Sequence, residues 1–233
     1  MFRLKIVLLF TGIIMMGLLN VPIRGQQSSQ NDKWGVGVFG GYNLPIFNFN
    51  DRFDGGPKFG LKLSFVKNNT TYDVAFFTSK YSSGKIEQAK FQWNYDGEYY
   101  LSPEASSEMV FHGMTVGIEK LFKFRLGPLA PFWSTGAGFI YYKHEIKNMV
   151  FPGQSIPPMD LSFTYSPDVE ERTSFTIYLG GGLQYEVNSH IKLGLFLKYN
   201  IIFGYLRPME AWSIEEVSPI QTLDVGLDLT YYF

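Results

Sequence analysis

Residues Gln221 to Phe233 alternate between two sets. Leu223, Val225, Leu227, Leu229, Tyr231 and Phe233 form one, and Thr222, Asp224, Gly226, Asp228, Thr230 and Tyr232 the other. A period of two puts the sets on opposite faces of a β-strand, and the stretch is long enough to cross a bilayer, which takes roughly 9–11 tilted residues. The same alternation recurs at about 33–43, 58–66, 71–80, 109–120, 130–145, 173–187 and 191–203. Trp34, Val36 and Val38, then Phe59, Leu61, Leu63 and Phe65, then Tyr72, Val74 and Phe76 lead the apolar faces. Eight antiparallel strands are therefore predicted. In hydrocarbon every backbone N–H and C=O needs a partner, so spanning strands must close into a barrel.

The connections alternate too. Links at 67–70, 122–129 and 188–190 are short or moderate, whereas 44–57, 81–108, 146–172 and 204–220 are long. That rhythm predicts an all-β, transmembrane, up-and-down barrel with short periplasmic turns and long extracellular loops. A ten-stranded alternative makes the segment around Asp96-Gly97 a further transmembrane hairpin. Its second arm is short before Pro103, which favours eight.

The second face of each strand faces inward. About half of the 24 glycines fall there, leaving room in a narrow lumen for Phe39, Phe77, Tyr178, Phe196 and Tyr232. Inner charges are Lys58, Lys62, Lys192 and Lys198 against Asp73, Glu119, Glu186, Asp224 and Asp228. Expected neighbours are Glu186 with Lys192, Lys198 with Asp224 and Asp228, and Lys62 with Asp73. These charges suit a gated solute path or a plug of paired charges, and their near balance favours the plug.

Residues 1–25 read as a cleaved signal peptide, with Arg3 and Lys5 ahead of an apolar run from Ile6 to Leu19; residues 26–233 form the barrel domain. Twenty Lys+Arg against 21 Asp+Glu give no field to recruit nucleic acid. Cysteine is absent, excluding disulfides and thiolate metal sites. An aromatic fraction of 18% fits girdles of rings at two membrane interfaces. His112, His144 and His190 are scattered, so neither a metal nor any other cofactor is expected.

Export signal, alternating strands and an ending of the form Gly226, Leu229, Tyr231, Phe233 resemble the bacterial outer-membrane β-barrel superfamily, in particular the OmpA/OmpX-type eight-stranded barrels and the PorT-like outer-membrane β-barrel domain group. The resemblance implies a location in the outer membrane of a Gram-negative-type bacterium, contact with its lipid, and an ending read by the barrel-insertion machinery. Barrel-type lipid A deacylases carry Ser two residues after His; here Met114 follows His112. A rim protease would need Asp160, Asp168, Glu170, Glu171 and His144 to converge. A non-enzymatic barrel is therefore expected, with a small-solute or apolar-molecule transporter and a lipid-modifying enzyme as alternatives. The long loops hold the best functional clue: Phe91, Trp93, Tyr95, Tyr99 and Tyr100 flank the Asp96-Gly97 turn, and Leu161 to Tyr165 reads as an outward continuation of the sixth strand. Aromatic edges of this kind can pair with an envelope or extracellular protein. PorT-like proteins are associated with protein secretion, so an accessory role there is one expectation.

Overall fold

The computed structural model describes residues 32–50, 53–83, 90–92, 99–101, 105–148, 168–204 and 218–233. Eight long strands follow in chain order: β1 Lys33–Pro45, β2 Gly56–Lys67, β3 Thr70–Ser83, β4 Ser106–Leu121, β5 Leu129–Lys147, β6 Asp168–Glu186, β7 Ile191–Ile202 and β8 Ile220–Tyr232. Each pairs antiparallel with the next, and β8 pairs with β1 from Gly35↔Tyr232 to Pro45↔Thr222, so the ring is closed. No described helix is long and apolar enough to cross a membrane; the strands carry the apolar surface.

Side chains divide as the alternation requires. Leu61 and Leu179 point outward with 62% and 63% of their surface exposed, beside Trp34, Phe76, Val116 and Phe139. A continuous greasy girdle of this extent is a liability in water and a fit to lipid. The β2–β3 turn is Asn68-Asn69 with φ of 49° and 61°, the left-handed pair whose twist matches a two-residue hairpin, in a residue type that tolerates it. In the β6–β7 turn the Asn188 side-chain carbonyl accepts from the backbone N–H of His190 and of Ile191, both at 2.8 Å.

Several strands run further at their long-loop ends than the apolar pattern predicts. β4 begins at Ser106 instead of about 109, and β6 at Asp168 instead of about 173. There the outward residues turn charged: Lys80 meets Glu108 at 2.8 Å and Lys143 meets Glu171 at 3.9 Å. Hydrogen bonding continues beyond the apolar band into a charged one, so apolar alternation stops before the ladder does. β5 and β6, at 19 residues each, stand taller than β2 and β7 at 12.

Lys90–Gln92 and Tyr99–Leu101 form a separate two-stranded sheet with Phe91 opposite Tyr100. Because this hairpin lies outside the ring, the barrel has eight strands and not ten. The signal segment, Trp93, Tyr95 and Leu161 to Tyr165 lie outside the described residues.

Candidate functional site

The barrel interior is filled in two layers, the lower of which is ionic. Lys58 Nζ lies 2.6 Å from Asp224 Oδ2, and Lys62 Nζ lies 2.6 Å from Asp228 Oδ1. Lys192 Nζ is 3.9 Å from Glu119, whose carboxylate also accepts from the Gln184 amide. Asn200 Nδ2 donates to Asp224 at 3.0 Å and the Thr230 hydroxyl to Asp228 at 3.3 Å. Lys58 sits 3.7 Å from the centre of the Phe77 ring and Lys198 4.7 Å from that of Tyr178. Among these groups, Asp73 included, the remaining cavity is about 40 Å³, space for a few waters.

The partners differ from those expected from neighbouring strands. Lys62 pairs with Asp228 and not Asp73, and Lys192 with Glu119 and not Glu186, although Lys192 and Glu186 do stand opposite each other in register. Glu186 is exposed at the short-turn end. Lys198 is in register with Asp224, but Lys58 reaches that carboxylate. The two lumen ion pairs at 2.6 Å both step over β1, and glycine is the reason. Gly41 of β1 lies in register between Lys58 and Gly226, and Gly37 between Lys62 and Thr230. With no side chain at either position, a lysine stem from β2 crosses the β1 backbone to a carboxylate on β8. A Cβ at Gly37 would come within 2.7 Å of the Thr230 hydroxyl and 3.1 Å of Lys62 Cγ. Gly37→Val is expected to lower unfolding free energy by about 1–3 kcal/mol; unchanged urea unfolding in micelles would refute this crossing as a packing constraint.

The upper layer is apolar. Phe49, Phe53, Tyr81, Met109, Phe111, Ile140, Tyr142, Ile202 and Ile220 form one buried cluster. Phe49 and Phe53 lie outside the eight long strands. They come from the β1–β2 connection, where Phe47–Phe49 forms a short 3₁₀ turn and Phe53–Asp54 adds two residues of pairing to the end of β3. Their rings lie 5.0 Å apart, and Phe49 also meets Tyr81 at 5.2 Å. A connection read from sequence as a rim loop thus turns inward and stoppers the barrel. The one signal for it is Phe49 and Phe53, two large apolar residues in a segment that has no outward apolar face to belong to, while Phe47 beside them stays exposed.

The histidines lie apart. His112 is outward and stacks on Tyr141 at 6.3 Å, and His190 Nδ1 is 2.9 Å from the Tyr232 carbonyl in the β6–β7 turn. His144 points inward, with Nε2 2.7 Å from Ser107 Oγ, against the Phe53 ring at 5.3 Å. Ser107 and His144 are 4% and 6% exposed, under the aromatic stopper. Of the terminal residues, Leu229, Tyr231 and Phe233 face outward, and Gly226 faces inward against Phe196.

No family model and no curated protein matches the sequence. Among solved structures the chain is similar to a major outer membrane protein from Thermus thermophilus, at 11% identity over 87% of this chain and 100% of that one, with a TM-score of 0.53. It is also similar to Neisserial surface protein A, at 12% identity over 86% and 97% of the two chains, with a TM-score of 0.49. The chain shares the fold of that Thermus outer membrane protein. The Thermus likeness carries that conclusion, and the closed ring of eight strands with an apolar exterior agrees with it.

Proposed function

We propose that the chain is a non-enzymatic integral protein of a bacterial outer membrane, with a sealed lumen, acting through its extracellular end as a structural or partner-binding element. The observation that carries this reading is the combination of an unbroken hydrogen-bonded ring with two filled layers inside it. A transporter for solutes would need a continuous passage, and one for apolar molecules a lateral opening between strands; the paired registers support neither. A catalytic role for Ser107 and His144 finds no support in their burial. A secretion-accessory role rests on the PorT-like resemblance together with the aromatic hairpin at 90–101. Recognition of Gly226, Leu229, Tyr231 and Phe233 by the insertion machinery rests on the outward display of the last three.

The purified protein is expected to need detergent, to run at two positions on a gel with and without heating, and to give no steady conductance in a planar bilayer. A compact monomer in plain buffer would overturn the membrane reading, and a large steady current the sealed lumen. For the partner-binding role, residues 90–101 are replaced by a Gly-Ser linker, which spares Tyr81 and the β4 residues that pack inside. Mild-detergent pull-downs should then lose at least one envelope protein, and identical partner sets would end that role for the hairpin.

A further inference from the structure

The β4–β5 connection differs from the other two periplasmic turns. It runs from Phe122 past the Gly127 turn, held by hydrogen bonds from Phe122 N–H to the Pro131 carbonyl at 2.9 Å and from Leu126 N–H to the Leu129 carbonyl at 2.9 Å. Phe122, Phe124 and Leu126 are 46%, 56% and 55% exposed, and the two phenyl rings lie 5.6 Å apart. Interleaved with them are Lys123 and Arg125, both exposed, and Lys120 ends the outward face of β4 opposite Trp133. None of the three cations has an ion-pair or hydrogen-bond partner among the described residues.

Directly along the same outward face lies an apolar groove of about 780 Å³. The rings of Trp34, Phe65 and Tyr72 line it together with the smaller Val74, Val116 and Ala137. These residues sit at the periplasmic ends of β1 to β5, and Ile118, also in the groove, precedes Lys120 by two on the same face. Apolar groove, aromatic rings and unpaired cations thus follow one another in the order in which a phospholipid presents acyl chain, interface and phosphate. A protein partner would have to meet a surface continuous with the lipid-facing girdle; a lipid meets it by default.

We propose that this side of the barrel binds an anionic phospholipid of the periplasmic leaflet, its acyl chain in the groove and its phosphate among Lys120, Lys123 and Arg125. The inference rests on the membrane reading above. The test offers the detergent-purified full chain equal phosphatidylglycerol and phosphatidylcholine and counts retained lipid by native mass spectrometry. Phosphatidylglycerol should be retained about tenfold or more over phosphatidylcholine, the scale that three interfacial cations supply, and added salt should erode the preference. The triple variant Lys120→Gln, Lys123→Gln, Arg125→Gln should lose the preference and keep its heat-dependent gel shift. Ala137→Phe, which fills the groove, should lower retention of both lipids. Equal retention by the natural chain, or an undiminished preference in the triple variant, would overturn the proposal and leave the barrel standing. Failure of the natural chain to show any gel shift or lipid-folded form would instead sink the membrane reading on which it rests.

Discussion

Asp224→Ala is expected to lower the unfolding free energy by about 3–5 kcal/mol, because it strands Lys58 as a buried, unpaired cation. The side chains of Lys58 and Asp224 are 8% and 3% exposed, so water cannot replace the lost carboxylate. Asn200 loses an acceptor in the same step. Removing both charges should behave differently. The pair Lys58→Met, Asp224→Leu keeps volume and leaves no orphan, so it is expected to come within about 1 kcal/mol of the natural chain or to exceed it. Urea unfolding of the refolded natural chain, Lys58→Met, Asp224→Leu and the double variant, read by the heat-dependent gel shift, gives all four corners of the cycle. Similar losses in the single and double variants would mean that the pair does not act as a unit.

Phe49→Ala with Phe53→Ala is the second large effect. Each truncation removes a ring that is 1% exposed, and buried Phe→Ala changes cost about 3–5 kcal/mol apiece; because the rings touch, the double variant should lose less than the sum of the two single losses. The β1–β2 connection should become open to added protease, since its two apolar anchors are gone. The ionic layer is untouched, so the planar bilayer should still record no steady current. Persistent protease resistance would refute these rings as the anchors, and a steady current would show the lower layer to be leaky. Conduction is expected only when that layer is dismantled as well, for example with Lys58→Ser and Asp224→Ser added.

The strands and their two faces were legible in sequence because a closed ring with a filled interior and an apolar exterior enforces the code. An outward position must be apolar and the next must not, so Leu223 to Phe233 or Phe59 to Phe65 declare themselves without help from tertiary structure. Asn68-Asn69 was legible for an equally local reason. The inward turn of Phe49 and Phe53 was not: a connection has no period, and an apolar residue in it looks the same whether it decorates a rim or fills a mouth. The ion pairs were misread for a geometric reason. Expecting Lys62 with Asp73 assumed that adjacent strands supply the partner, whereas Gly37 and Gly41 let the lysines cross to the strand beyond. The outer ends of β4 and β6 escaped because charged outward residues such as Glu108 and Glu171 end the alternation while backbone pairing goes on.

The seam between β1 and β8 joins the first strand to the last through eleven residue pairs. A nascent chain still lacking its final strand therefore has two raw margins and no way to hide their amides from hydrocarbon. Such pairing across the whole sequence is also slow to find, since it rewards the chain only after a very long loop has been closed. Closing that seam is therefore the step that completes the ring: until β8 reaches β1, the amides of both edge strands have no partner within the chain.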